Sequence, residues 1–171
     1  MVADFPETRD RARLREVARL GVDRELSRDY LAELVEQVAV RMDMPFAMVT
    51  GLLSDAQVFL AGRGPVPAWV GEVGGTPMEW AFCAPLLRRP AARYVNDFTT
   101  DPDYQDNPLV TVEGVRSYIG APVISSRGHV LGSVCGLDVR PRDFDAGQLR
   151  IVQDLADEAA RRIEAAAPEE S

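Results

Sequence analysis

VRSYIGAPVISSRGHVLGSVCGLDV, residues 115–139, decides the fold. It reads as two long apolar strands joined by a tight turn. The first runs over 117–124, with Gly120 and Pro122 where a central strand normally avoids them. Ser125-Ser126-Arg127-Gly128 is a turn cluster, and Gly128 is free to take positive φ. Residues 129–138 return, again with glycines, at Gly132 and Gly136. A glycine inside a strand packs nothing, so it marks a bulge or a group lying close to the backbone. This hairpin therefore predicts a sheet centre with something packed on one face.

The same residues carry a resemblance. Gly114-Val115-Arg116-Ser117-Tyr118-Ile119-Gly120-Ala121-Pro122-Val123 and Gly128-His129-Val130-Leu131-Gly132-Ser133-Val134-Cys135-Gly136-Leu137-Asp138 resemble the final hairpin of GAF domains. Those are small-molecule-binding and dimerising modules of signalling proteins. Glu79-Trp80-Ala81-Phe82-Cys83-Ala84 resembles the family's helix beside the pocket. Val95-Asn96-Asp97, with Asp101-Pro102-Asp103-Tyr104 and Asp106-Asn107-Pro108-Leu109-Val110, resembles its strand and pocket-capping loop. The likeness covers residues 27–166 in order and spacing. It is specific for fold and weak for ligand.

Composition bounds the rest. A chain of 171 residues that is 46% apolar suits one domain with a real core. No apolar run approaches the roughly 20 residues that span a bilayer, and MVADFPETRDRARLRE lacks a signal peptide's apolar centre. The expectation is a cytoplasmic, bacterial protein with no membrane partner. A net charge of −8 argues against nucleic acid, which needs a basic surface. All 19 basic residues are Arg, which points to codon bias rather than chemistry.

Along the chain, Asp4 can cap a first helix, with Glu7 at the capping-box position and Gly21 as its stop. This segment, 1–26, is read as a helical extension, mostly solvated. The alternative is an oligomerisation or docking arm, because its apolar stripe (Leu14, Val17, Ala18) is narrow. Ser27 caps a second helix over 28–41, whose stripe of Tyr30, Leu31, Leu34, Val35, Val38 and Met42 should lie on the sheet. Strands follow over 46–53 and 57–61. Residues 62–77 are loop, with five glycines and three prolines. A helix is expected over 78–87, stopped by Pro90, then a short strand over 92–95. Residues 96–113 form a long loop with helical turns after Pro102 and Pro108. Asp145 caps the last helix in a capping box with Gln148, and Phe144 and Leu149 form its hydrophobic staple. Residues 167–171 read as a frayed acidic tail.

The chemistry-bearing residues are few. Cys83, Cys135 and the single histidine, His129, are too scattered for a structural zinc site, so no metal is expected. His129 reads as a surface residue. Asp101, Asp103, Asp106 and Asn107 lack the spacing of a calcium loop and read as turn caps. Each cysteine reads as a small buried hydrophobe, with redox sensing through a disulfide or sulfenic acid as the alternative. Within the resembled family, free methionine sulfoxide reductases carry cysteines in a set spacing that positions 83 and 135 do not reproduce. Bilin-binding members attach chromophore through Cys followed by His, whereas Cys83 precedes Ala84 and Cys135 precedes Gly136. No covalent bilin is expected, and the cyclic-nucleotide signature is not traceable.

The resemblance implies an α/β (α+β) fold. Its mostly antiparallel sheet has five or six strands, with the terminal helices on one face and a short helix plus long loop over a pocket on the other. It also implies where a ligand would sit. Trp80, Phe82 and Cys83 would come from the helix, Tyr94 and Asp97 from the short strand, Tyr104 from the loop, and Arg116 and Tyr118 from the central strand. The alternative is that these aromatics fill the pocket. Three readings stand: a non-enzymatic sensory domain that binds a small molecule or a separate signalling protein and homodimerises through terminal helices; a ligand-free interaction module; and a redox-active thiol protein.

Overall fold

A computed structural model of the chain describes residues 6–24, 28–63 and 75–167. Its frame is one antiparallel sheet of six strands: β1 (Phe46–Leu52), β2 (Ala56–Arg63), β3 (Gly75–Pro77), β4 (Arg93–Val95), β5 (Ser117–Ile124) and β6 (Val130–Asp138). The spatial order is β3-β2-β1-β6-β5-β4. The hairpin read first in the sequence thus supplies β5 and β6, and β6 lies at the centre. Gly128 takes φ +85° in its turn. Pro122 stands beyond the reach of β4, which pairs with β5 only at Tyr118, Ile119 and Gly120, so its missing N–H leaves no gap on that side.

The strand glycines mark close approaches. A Cβ on Gly120 would collide with the hydroxyl and ring of Tyr118, and one on Gly132 with the carbonyl of Thr50 on β1. The segment 62–77 differs from the expected loop. β2 continues through Arg63, and Gly75–Pro77 forms an edge strand paired with Ala56, Gln57 and Val58. Gly75 permits it, because any side chain there would strike the Gln57 carbonyl.

Alternation along the strands divides the apolar side chains between two faces. One face carries Ala47, Val49, Ile119, Ala121, Val123, Leu131 and Val134. It is covered by α1 (Arg11–Arg19), α2 (Ala32–Arg41) and, after two further helices, the long C-terminal helix, Ala146–Ala165. α2 is preceded by a 3₁₀ turn, Asp29–Leu31, and ends where Asp43 takes φ +51°. The expected caps Asp4 and Ser27 lie outside the described residues, as does the tail from 168. Within them Asp10 caps α1, its Oδ1 accepting from Ala12 N at 3.1 Å.

The other face carries Met48, Leu52, Tyr118, Val130 and Cys135. Above it the expected helix over 78–87 is broken in two. A 3₁₀ turn, Met78–Trp80, and α3 (Pro85–Arg88) flank a turn that holds Phe82 and Cys83. Pro85 explains the break, since it fits the first turn of a helix but not its interior. The 96–113 segment folds as a chain of short capped turns. Asp97 caps Phe98–Thr100, Asp101 caps Pro102–Tyr104, and Asn107 caps α4 (Pro108–Thr111). The C-terminal helix, α5 (Ala146–Ala165), opens with the expected capping box: Asp145 Oδ1 accepts from Gln148 N at 2.8 Å, and Gln148 Oε1 accepts from Asp145 N at 3.0 Å.

α1 departs from a solvated helix. Arg13 is 4% exposed and Glu16 3%. Arg13 Nη1 donates to the carbonyls of Leu52 (2.6 Å) and Val130 (3.1 Å), and Nη2 to those of Thr8 (3.1 Å) and Leu53 (3.0 Å). Glu16 accepts from Ser125 Oγ at 2.7 Å and pairs with Arg19 at 2.5 Å. The helix therefore ties the end of β1 to both ends of the central hairpin's turn.

Candidate functional site

Between the second face of the sheet and the elements above it lies a cavity of about 270 Å³. Its floor is set by strand alternation: Met48 on β1, Gln57 and Phe59 on β2, Thr76 on β3, Tyr118 on β5, and Cys135 and Leu137 on β6. Phe82 and Cys83 come from the turn before α3, Leu109 from α4, and Glu113 and Val115 from the return to β5. Phe46 and Val139 complete the lining, and Val139 is 49% exposed.

A buried polar chain forms one wall. Ser133 Oγ donates to Cys83 Sγ at 2.7 Å and shares a 2.7 Å hydrogen bond with Thr50 Oγ1. Tyr118 Oη lies 3.1 Å from the same sulfur, in the space that Gly120 leaves open. Cys135 completes the group, and both thiols are free and 2% exposed. Burial pushes the Cys83 thiol up, but hydrogen bonds from Cys135, Ser133 and Tyr118 outweigh it and hold Cys83 below its ordinary value. Cys135 moves well up, because Cys83 accepts its hydrogen bond and burial disfavours charge. Tyr118 also moves well up, from burial and the neighbouring sulfurs.

Of the eight residues read as ligand contacts, three line the cavity: Phe82, Cys83 and Tyr118. Cys135, read only as a redox candidate, joins them. Tyr104 stands one layer back, 4.6 Å from the Phe98 ring and 5.7 Å from that of Phe82, with its hydroxyl accepting from Arg93 at 3.3 Å. Trp80 is half-buried, and its carbonyl accepts from Asn107 Nδ2 at 3.2 Å, which anchors the loop. Asp97 and Arg116 engage each other at 2.9 and 2.8 Å. The Arg116 hydrogen bonds, helped by Thr99, hold the Asp97 carboxyl far below the usual range. Tyr94 projects to the opposite face, against Phe144 at 5.8 Å, because its neighbour Val95 faces the cavity side.

Gln57, Phe59, Met48 and Thr76 were missed. Alternation alone places Gln57 and Phe59 on one face of β2, so half of that wall was legible. Thr76 was not, because β3 lies in a segment whose composition reads as loop. Among the described residues no three His, Cys, Asp or Glu side chains converge as metal ligands. No described helix is long and apolar enough to cross a membrane.

Comparisons with known proteins agree with this architecture. The chain is 31% identical over 139 residues to a cyclic di-GMP phosphodiesterase of Pseudomonas aeruginosa, covering 81% of this chain and 22% of that protein. The fold is similar to the GAF domain of an Acinetobacter phosphoenolpyruvate-protein phosphotransferase, with TM-score 0.64 and 19% identity over 91% of this chain and 92% of that one. It is also similar to the free methionine-R-sulfoxide reductase of Neisseria meningitidis, with TM-score 0.65 and 19% identity over 95% and 93% of the two chains. The family model for the GAF domain matches residues 27–163, from the start of the α2 region to the last turns of α5, and the chain belongs to that family.

Proposed function

We propose that this chain is a sensory or regulatory domain that binds a small molecule in the cavity and acts on a separate signalling protein rather than on a substrate. The observation that carries this reading is the cavity itself: an apolar space of about 270 Å³ remains after Phe82, Phe98 and Tyr104 have packed on one another. Apolar walls with a few placed polar groups suit a small-molecule site. One wall is the sheet, and the other is the turn holding Phe82 and Cys83 together with Leu109 and Glu113 from the capped turns over 96–113. A ligand that favours one arrangement of those turns shifts their population by its differential affinity. Ile119 and Tyr118 are adjacent on β5 but face opposite sides, so the sheet links the cavity to the terminal helices. Homodimerisation through those helices is the proposed output. The buried free thiols fit a reducing, cytoplasmic compartment.

Native and denaturing mass spectrometry of protein purified without reductant tests the reading. Extra mass lost on denaturation is the expected result. A bare chain that binds nothing from a metabolite extract, and whose dimerisation is insensitive to that extract, would overturn it in favour of an interaction module. A second reading rests on the thiol pair facing the cavity: a redox-active site in which Cys83 is the nucleophile. A Cys83→Ser/Cys135→Ser variant that keeps its response to peroxide would exclude it.

A further inference from the structure

We infer that the cavity selects an uncharged or cationic one- or two-ring molecule bearing a hydrogen-bond donor, held by the carbonyl of Gln57, and rejects anions. The inference rests on the small-molecule reading of the cavity and names its ligand class. Gln57 is 5% exposed, and its Nε2 donates to Thr76 Oγ1 at 3.3 Å. The other end of the amide, Oε1, is buried and has no protein partner. An acceptor in that position costs free energy unless a donor meets it. Gln57 and Thr76 both line the cavity, so a ligand N–H or O–H there would satisfy it.

Charge points the same way. Among the described lining residues none is basic, and the one carboxylic side chain is that of Glu113. Of the arginines on this face, Arg116 is paired with Asp97 through two of its nitrogens, and Arg93 stands outside the lining, donating to the Tyr104 hydroxyl, although its charge reaches Cys83 and Tyr118. A phosphate or carboxylate in this space would lose its hydration with no cation in the lining to pair with it directly. The volume, about 270 Å³, exceeds the roughly 150 Å³ that admits benzene and falls just below the roughly 300–1,000 Å³ of drug-sized sites.

The test titrates the full chain, labelled at its methionine methyls, with benzene, benzofuran, indole and indole-3-acetate, reading the Met48 methyl in the cavity floor. Benzene asks only whether the cavity takes a ligand. Benzofuran and indole differ in the N–H donor, and indole and its acetate in charge. The expected result is that all three neutral probes shift Met48, with indole about fivefold tighter than benzofuran and indole-3-acetate at least about tenfold weaker than indole. Gln57→Leu should remove the preference for indole over benzofuran. Equal affinity for indole and benzofuran, a preference that survives Gln57→Leu, or an acetate as tight as indole would overturn the ligand class while benzene still bound. Failure of every probe, benzene included, would overturn the small-molecule reading beneath it.

Discussion

Gly120 and Gly132 look alike in the sequence and resist a side chain for different reasons. The obstacle at Gly120 is the Tyr118 side chain, whereas at Gly132 it is the backbone carbonyl of Thr50. Each alanine variant should lose stability by roughly 2–4 kcal/mol in urea melts, because both sites are buried and neither neighbour can retreat to solvent. Only one should be rescuable. Tyr118→Leu introduced with Gly120→Ala should recover part of the loss, while no side-chain change at Thr50 should help Gly132→Ala. Equal behaviour of the two glycines would contradict the packing described. The same hydroxyl that Gly120 admits reaches Cys83, so the strand's missing side chain and the thiol's environment are one feature. With both sulfurs 2% exposed, a thiol reagent such as dithionitrobenzoate should label the native chain far more slowly than the unfolded one, and then label both cysteines.

At the scale of elements, α1 is held by polar contacts rather than by its narrow apolar stripe. Arg13→Met should cost about 2–3 kcal/mol, since it keeps the stem's packing but leaves buried carbonyls without donors. Hydrogen exchange should rise at Leu53 and along the turn 125–129. Exchange unchanged there would mean that Arg13 does not tie these ends together. Arg13→Lys should recover little, because an ammonium cannot serve four carbonyls in a plane. The cap of α5 offers a smaller effect: Asp145→Ala should cost about 1 kcal/mol. Opposite the helices, the turns over 96–113 are each closed by one short polar side chain, at Asp97, Asp101 and Asn107. Asn107 also reaches the Trp80 carbonyl, so Asn107→Ala should loosen the turn 78–80 from α4 and speed exchange at Leu109.

The whole molecule should be acid-sensitive. Asp138 is 1% exposed; burial pushes its carboxyl up, but hydrogen bonds from Arg140 and Arg142 outweigh this and hold it below its ordinary value. Glu16 is held down chiefly by Arg19, and Asp97 by Arg116. A carboxyl with a lowered folded-state pKa binds fewer protons folded than unfolded, so its contribution is full above the unfolded value, near pH 4, and vanishes as pH falls through the folded one. Stability should therefore fall from about pH 5 downwards. Asp138→Asn should flatten part of that slope and cost about 2–3 kcal/mol at pH 7. Arg142 also donates to the carbonyls of Met42 and Asp43, so this variant loosens the end of α2 from the end of β6. An urea midpoint with the same acid slope in wild type and variant would remove Asp138 from the account.

The sequence by itself determined what depends on local spacing. The hairpin of β5 and β6, the amphipathic α2, the capping box of α5 and the turns after Pro102 and Pro108 are all set by residues within a few positions of one another, whereas the turn capped by Asp97 came only with the structure. A mostly antiparallel sheet of five or six strands followed from those elements and the family likeness. What only the tertiary structure decided depends on register across the chain. Composition made 75–77 a loop, but an edge strand needs only three residues and a neighbour with free backbone groups. Arg13 and Glu16 read as solvated because burial of a charge is legible only when its distant partners are known. The candidate site divided in the same way. Phe82, Cys83 and Tyr118 fell on the cavity with the hairpin and its covering turn, while Tyr94 was turned away by a single step of strand parity. Strand alternation puts Gln57 on the same face as Phe59, but that its side-chain Oε1 is buried without a partner beside Thr76 of β3 is a fact of packing that no spacing in the sequence encodes.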